Sequence, residues 1–492
     1  MFNKGVIKYI CTYFIVIIFF VLLMIAGCLF PSEWIEENVR QSAEVLEKED
    51  MWYKLGFSVI DNVADPLMVN EAYSVDYKKP IFSAFSVRKN YKEGLTEKQL
   101  KDLRGELITF QTPKEEMELI EIDGKLYSKD ARTNYAVLTQ EELEESTPKV
   151  IEVNGEVFYI NEYNTCKELK RFVEGKVDTS VEYARYWHGY LPFLRVLLLF
   201  FNVTEIRTLF IVAFIILLIY MMILLKKEFG LSTALIFAFT LIWHDYLMVG
   251  YSLQCSPLFF VMMISTIIFI KKRNSLNKYL YLFVVGMVTS FVDYLTCPAI
   301  AFGMPLIIEL LYMKKENKSF KDSLMVIIKS GIAWASGYAI TWLTKWILYD
   351  ILFNGEMLKV GITQFLYRAS RSNIKKEINS LWDIMVTIVG WGFIGTSILT
   401  LIVLSDIEKF KTEKVFEDNL GLLILALIPF VWHIVLKNHT LLHWTFSFRD
   451  FVILQIIVLI LLNDMVIFKS GRVKNEKNSW VYKTFYLYDF AI

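Results

Sequence analysis

The chain has 492 residues, 55% of them apolar, and its 52 Lys and Arg residues equal its 52 Asp and Glu residues in number. Soluble globular chains usually contain about 45–50% apolar residues, so the composition argues against a soluble protein. The balanced charge argues neither for nor against a nucleic-acid partner, and we predict none. The apolar residues gather in runs of about 17–25, the length that crosses a hydrocarbon core of about 30 Å. We therefore predict a protein that crosses a membrane several times.

The first apolar run covers residues 10–30 and follows Lys4 and Lys8. It is longer than the core of a signal peptide, which has about 7–15 residues, and no small-x-small cleavage site clearly follows it. We therefore predict that residues 1–30 form a retained first transmembrane helix.

A long polar stretch follows, over residues 31–189. Within it, Asp61-Asn-Val-Ala-Asp65-Pro66 predicts a helix start, because Asp is favoured as an N-cap and Pro at the first helical position. Further on, two runs with alternating apolar residues are interrupted by Asp123-Gly124 and Asn154-Gly155, which are strong hairpin signals. We predict a loop domain with a small β-hairpin insertion over about 95–175.

Apolar spans dominate from residue 190 onward, and we predict a transmembrane helical bundle over 190–468. With the first span, the count is about ten by the length criterion. The predicted spans of the bundle are 206–225, 231–249, 256–270, 279–293, 296–313, 323–347, 382–404, 419–436 and 450–468. The run 190–203 is too short to cross alone, so it lies at the interface or leads into the next span. The fold class is an all-α polytopic membrane protein.

The positions of Lys and Arg predict the orientation, because loops on the cytoplasmic side are enriched in these residues. Lysines recur in alternate loops, as in Lys226-Lys227, Lys271-Lys272 and Lys314-Lys315, whereas the intervening short loops hold almost none. Both termini, including the tail 469–492, are then cytoplasmic. The polar stretch 31–189 lies on the outer face of the cell membrane.

All five histidines fall at one predicted depth, at the outer ends of the spans. They are His188, His244, His433, His439 and His443. Asp245, Asp293, Arg185, Arg195 and Arg449 lie at the same depth. Ionisable residues near membrane depth are costly and often mark function. The alternative is that the histidines anchor the protein at the interface, that Arg195 snorkels, and that Asp65 only caps a helix.

Several catalytic and cofactor motifs are absent from the sequence. The phosphate-binding motif G-x-x-x-x-G-K-[ST] does not occur, which disfavours an ATP-driven pump, and no G-x-S-x-G elbow is present. The five cysteines form no C-x-x-C pair, so the sequence indicates neither a disulfide framework nor a zinc knuckle. His439 and His443 have a metal-ligand spacing, but in a loop-like stretch.

Two consecutive segments carry a resemblance to a known family. They read Tyr183-Ala-Arg185-Tyr-Trp-His188-Gly-Tyr-Leu-Pro192-Phe-Leu-Arg195 and Phe201-Asn-Val-Thr-Glu205-Ile-Arg207. With the preceding span and outer loop, they resemble the end of the first outer loop in the GT-C superfamily of membrane glycosyltransferases. That family often has His-Pro-Pro-Leu here, where this chain has His188-Gly189-Tyr190-Leu191.

The resemblance implies an enzyme that takes a sugar from a polyprenyl-phosphate-linked donor in the membrane and transfers it to an envelope glycan or lipid-linked acceptor. It implies a general base early in the outer loop, for which Asp65 is the best match and Asp61 the next. Cationic and donor groups must meet the charge of the leaving lipid phosphate. The predicted substrate-binding residues are Arg185, His188, His244, Asp245, His439, His443 and Arg449. No cofactor is certain, and the need for a divalent metal is left open.

Two other functions stay open from the sequence. One is a transport or accessory protein of the same pathway, such as a flippase, for which we expect a polar path through the spans. The other is a membrane-anchored sensor that uses the loop domain alone, and ten spans exceed what anchoring needs. A transfer assay with Asp65→Asn and Asp61→Asn separates these functions from the enzyme.

Overall fold

The computed structural model describes residues 4–55, 58–90, 164–175, 180–369, 407–410 and 415–468, and short strands between residues 94 and 160. The predicted span 382–404 and the tail 469–492 lie outside the described residues. So does the side chain of Asp61.

The described chain is mostly helical. The helices of the first span and the loop domain are α1 Lys4–Gly27, α2 Glu36–Glu49, α3 Asp65–Tyr73, α4 Pro80–Phe85 and α5 Thr165–Val173. Those that follow are α6 Leu191–Leu198, α7 Val203–Phe229, α8 Leu231–Trp243, α9 Ser256–Lys272, α10 Lys278–Val292, α11 Ala299–Lys315, α12 Phe320–Phe353, α13 Met357–Ala369, α14 Val415–Leu425, α15 Ile428–Val435, α16 Lys437–Leu442, α17 Trp444–Ser447 and α18 Val452–Met465. Three 3₁₀ turns cover Ser32–Trp34, Met248–Tyr251 and Phe448–Phe451.

Five helical segments among the described residues are long and apolar enough to cross a membrane. They are Gly5–Gly27, Val203–Phe229, Leu231–Tyr251, Phe320–Phe353 and Val415–Val435. Helices α9, α10, α11 and α18 occupy four further predicted spans, but they have only 14–17 residues. The count of about ten spans therefore stays a prediction.

The described strands form small antiparallel sheets. They are β1 Trp52–Leu55, β2 Ser58–Asp61, β3 Arg88–Asn90, β4 Gly94–Leu95, β5 Glu106–Gln111, β6 Glu116–Ile122, β7 Lys125–Lys129, β8 Tyr135–Val137, β9 Lys149–Val153, β10 Glu156–Ile160, β11 Ser180–Glu182, β12 Ile407–Phe410 and β13 Val466–Phe468. Strands β4–β8 make one sheet in the order β4-β8-β7-β6-β5. Strand β6 pairs with β7 on either side of Asp123-Gly124, and β9 pairs with β10 on either side of Asn154-Gly155. The predicted insertion also contains a helix, α5, which Asn164 caps by accepting from two backbone N–H groups.

The loop domain rests on the C-terminal part of α12, which has 34 residues. The indole of Trp187 donates to the Thr341 carbonyl at 2.7 Å, and that of Trp346 donates to the Arg185 carbonyl at 2.8 Å. The buried Lys345 donates to the Phe85 carbonyl at 2.6 Å. We call the end of the bundle that meets the loop domain the loop-side end.

Arg195 joins three chain segments at the loop-side end. Its fully buried guanidinium donates to the carbonyls of Gly27 at 2.8 Å and Phe30 at 2.6 Å, to the carbonyl of Ala72, and to the Ser32 hydroxyl at 3.1 Å. The alternative that Arg195 snorkels does not hold, because backbone carbonyls within the protein take the place of water as its acceptors. Burial lowers the pKa of Arg195 to about 10.

Replacing Arg195 by Lys is expected to lower the free energy of unfolding by about 1–3 kcal/mol, because a single ammonium cannot reach the acceptors that the planar guanidinium fork joins. Thermal unfolding in detergent measures the effect. The control is Arg40→Lys, at an exposed residue that pairs with Glu36 on the same helix, where we expect little change. Equal stability of the two variants would contradict the joining role of Arg195.

Candidate functional site

Four segments between helices meet at the loop-side end. They are residues 183–190, 244–255, 293–298 and 436–451, and the last of them includes the short helices α16 and α17. Three non-glycine residues in these segments have left-handed φ angles: His188 at 58°, Asp245 at 59° and Leu295 at 66°. This conformation costs an L-residue about 1–2 kcal/mol and persists only where surrounding contacts hold it, often at functional sites. Strained backbone therefore coincides with two of the predicted site residues, His188 and Asp245.

The turn from Asp293 to Thr296 lies at the centre of these segments. The Asp293 carboxylate accepts from the Thr296 backbone N–H at 3.0 Å and from its hydroxyl at 2.6 Å. The Leu295 carbonyl, between them, accepts from Nε2 of His439 at 2.6 Å. The turn thus holds the imidazole of a predicted site residue.

His439 is bonded on both sides of its ring. Its Nδ1 accepts from the guanidinium of Arg368, at the end of α13, while Nε2 donates to Leu295. This pattern fixes the neutral tautomer. Burial, together with the positive charge of Arg368, lowers the pKa of His439 well below its usual value. The ring centroid of His443 lies 4.8 Å from that of His439, so the cation and both imidazoles form one group.

Asp245, His244 and Arg449 form a second group at the same end. A guanidinium nitrogen of Arg449 lies 3.9 Å from the Asp245 carboxylate. Nδ1 of His244 donates to the Thr240 carbonyl at 3.0 Å, and its ring stacks on Phe448 next to Arg449. The structure therefore brings together these three predicted residues.

Glu71, on α3, lies at the centre of a third group, which contains Tyr294, Tyr190 and His188. Every side chain in this group is hydrogen-bonded. The Glu71 carboxylate accepts from the Tyr294 hydroxyl at 2.8 Å and from the Tyr190 hydroxyl, and Nδ1 of His188 lies 3.1 Å away. Nε2 of His188 donates to the Tyr183 carbonyl at 2.6 Å. The predicted site residue His188 thus lies against the Tyr294 hydroxyl and the Glu71 carboxylate rather than against the other histidines.

Asp65 lies at the opposite end of α3 from Glu71. It was predicted as the N-cap, but it is the first helical residue and Ala64 occupies the cap position. Its fully buried carboxylate accepts from Arg207 at 3.1 Å and from the backbone N–H groups of Leu253 at 3.0 Å and Gln254 at 3.3 Å. Burial raises the pKa of Asp65, and the charge of Arg207 and the two backbone donors act in the opposite direction. Asp65 therefore ties α3 to α7 and to the start of α9.

Arg185 packs on the aromatic side chains of its own segment. Its guanidinium lies 5.0 Å from the ring centroid of Tyr183 and 5.5 Å from that of Tyr186. The Tyr186 ring in turn contacts Tyr294, with centroids 5.2 Å apart. This aromatic contact links Arg185 to the Glu71 group.

Sequence reasoning missed three charged residues at the loop-side end: Arg368, Glu71 and Asp450. Arg368 and Glu71 belong to the groups described above. Asp450 is fully buried, and one of its carboxylate oxygens lies 4.0 Å from Nε2 of His433. Its charge beside Arg449, at the start of an apolar run, was a usable signal. Nothing local distinguished Arg368, which lies in the last turn of the short helix α13. Glu71 was visible only as a member of the helix that begins at Asp65.

Among the described residues, no group of three or more His, Cys, Asp or Glu side chains is arranged to hold a metal ion. His439 and His443 are close, but Nδ1 and Nε2 of His439 already have protein partners. The divalent metal left open by the sequence gains no ligand set from these residues.

The chain was compared with protein-family models, curated proteins and solved structures. None of the three comparisons gives a match.

Proposed function

We propose that the protein is a membrane glycosyltransferase that moves a sugar from a polyprenyl-phosphate-linked donor to an envelope glycan or lipid-linked acceptor. The loop-side end is the outer face in this proposal, because the lysine-rich loops lie at the other end of the bundle. The observation that carries the proposal is the group of Arg368, His439 and His443 at the loop-side end.

This group has the chemistry that a lipid phosphate needs. Guanidinium groups form charge-assisted hydrogen bonds with phosphate oxygens, and fixed donors stabilise negative charge that develops on a leaving group. The Leu295 carbonyl holds His439, and His439 in turn fixes one edge of the Arg368 guanidinium. The cation is thus oriented before the donor arrives, which is what preorganised electrostatic catalysis requires.

The acceptor hydroxyl must lose its proton as its oxygen attacks the anomeric carbon. The resemblance implies that Asp65 is the general base that takes this proton, and Asp61 is the second candidate for that role. In the structure Asp65 accepts three hydrogen bonds and is fully buried, so an acceptor hydroxyl can reach its remaining lone pair only if the surrounding residues move. Glu71 is the second carboxylate of the same helix, and its partners are hydroxyl groups and an imidazole.

A transfer assay with the protein in nanodiscs and a panel of polyprenyl-phosphate-linked sugars tests the proposal. Arg368→Gln is expected to lower kcat/KM by about 100-fold or more, as for loss of one transition-state donor. Asp65→Asn is expected to lower kcat by about 100-fold or more if the carboxylate is the base. Arg40→Gln and Asp76→Asn, both exposed, are the matched controls and should keep full activity.

Each outcome has a separate meaning. Full activity of both Asp65→Asn and Asp61→Asn removes the base assignment and leaves Glu71→Gln as the next variant. Lipid binding with no transfer to any acceptor, together with lipid movement across vesicles, favours the transport alternative. Absence of both binding and transfer over the whole panel contradicts the proposal.

A further inference from the structure

We propose that Glu71 and Tyr294 are positioning residues that set the place of Arg368, and through it the affinity for the lipid phosphate. The inference rests on the proposed function, because it takes Arg368 as a ligand of the donor phosphate. Glu71 and Tyr294 affect the affinity for the lipid phosphate without touching it.

The first step is the anchoring of Tyr294. Its hydroxyl lies 2.8 Å from Glu71, 2.7 Å from Nδ1 of His188 and 2.5 Å from the Tyr190 hydroxyl. Glu71, His188 and Tyr190 are all almost completely buried. A fully connected buried network of this kind is rigid, because losing any member leaves a buried polar group unsatisfied. The phenol of Tyr294 is therefore held at a fixed position by α3 and by the segment 183–190.

In the second step, the fixed position of the Tyr294 side chain constrains the backbone of the next residue, Leu295. Leu295 has a φ of 66°, a conformation that a leucine adopts only when its surroundings require it. On one side it is held by the anchored phenol of Tyr294, and on the other by the hydrogen bonds between Asp293 and Thr296. Together these contacts determine the direction in which the Leu295 carbonyl points.

The third step runs from that carbonyl to the cation. The Leu295 carbonyl accepts from Nε2 of His439 at 2.6 Å, which fixes both the tautomer and the rotation of the ring. Nδ1 of the same ring accepts from Arg368. If the Leu295 carbonyl turned away, Nε2 of His439 would no longer be held as the protonated nitrogen. Nδ1 could then be protonated, and the Arg368 guanidinium would lose its acceptor.

A double-mutant cycle on binding tests the proposal, with polyprenyl phosphate itself as the probe in nanodiscs of zwitterionic lipid. Arg368→Gln is expected to raise Kd about 10- to 100-fold, and Tyr294→Phe about 3- to 10-fold. Because Tyr294 acts through Arg368, the double variant should bind no more weakly than Arg368→Gln alone. Non-additivity of this kind is the signature of residues in one network.

The matched control is Tyr281→Phe. The Tyr281 hydroxyl donates to a backbone carbonyl outside the Glu71 group, that of Ser265 at 2.7 Å. Tyr281 lies on α10, the helix that leads to Tyr294. Its removal should leave Kd unchanged. Phosphatidic acid and inorganic phosphate serve as comparison probes, and binding of either as tightly as polyprenyl phosphate would show a general anion site.

Additive effects of Tyr294→Phe and Arg368→Gln would overturn the positioning role while leaving the proposed function intact. No effect of Arg368→Gln would instead contradict the phosphate site of the proposed function. Glu71→Gln keeps the side-chain shape and provides a second cycle with Arg368→Gln, with the same expected non-additivity, should Tyr294→Phe fail to fold.

Discussion

Replacing Arg207 by Gln is expected to lower the free energy of unfolding by about 3–5 kcal/mol, the usual cost of breaking a buried ion pair from one side. Arg207 is 2% exposed and donates to Glu49 at 2.6 Å, to Asn62 at 3.0 Å and to Asp65 at 3.1 Å. Without it, the buried carboxylate of Asp65 would lose its only cationic contact among the described residues.

Unfolding of the purified protein in mixed micelles, followed by tryptophan fluorescence, measures this effect. The matched control is Arg40→Gln, which breaks an exposed pair with Glu36 on α2 and should cost about 1 kcal/mol or less. Asp65→Asn should cost less than Arg207→Gln, because Arg207 keeps Glu49. If Arg207→Gln were no more harmful than Arg40→Gln, the pair would not connect the loop domain to α7.

Replacing Gly337 by Ala is expected to destabilise the bundle by about 3 kcal/mol, because there is no room for a Cβ atom. An added Cβ would lie 2.1 Å from the Phe283 carbonyl oxygen, and one on Gly286 would lie 2.2 Å from the Trp334 carbonyl oxygen. These glycines let the backbones of α10 and α12 touch, as small residues do in membrane helix pairs. A methyl group must separate the helices, and overpacking of this kind typically costs about 1–3 kcal/mol.

The control is on the same helix. A Cβ on Gly331 would meet only the Phe302 ring, at 3.8 Å, which is ordinary contact, and alanine is a better helix former than glycine by about 1 kcal/mol. Gly331→Ala should therefore be neutral or stabilising, whereas Gly337→Ala and Gly286→Ala should each destabilise. Equal thermal stability of the three variants would show that α10 and α12 do not pack this closely.

Hydrophobic run length predicted where helices lie but not how many cross. The runs at 206–225 and 231–249 became candidate spans because their helical segments reach 27 and 21 residues, while the run at 450–468 became a helix of 14 residues. Helix ends depend on caps and tertiary contacts that hydropathy does not contain. The start of α3 near Pro66 was predictable, because the preference of proline for the first helical position depends only on the local sequence.

The partners of the site residues were not predictable, because they are distant in sequence. Asp65 and Arg207 are 142 positions apart, and Glu71 and Tyr294 are 223 apart. A charge pattern showed that His439 and Arg449 share a depth, and the structure places both at the loop-side end. Nothing in that charge pattern indicated that Arg368 would contact His439, because this contact depends on how α13 packs back along α12.

Helix α12 is longer than the crossing of a hydrocarbon core requires. Its 34 residues rise about 51 Å at 1.5 Å per residue, which exceeds a hydrocarbon core of about 30 Å by about 20 Å. Trp346, near its end, bonds the segment that carries His188. Under the proposed function, the part of α12 beyond the hydrocarbon core sets the distance between that segment and the lipid. Transfer activity is then expected to change with the acyl-chain length of the bilayer, because a thicker bilayer covers more of α12.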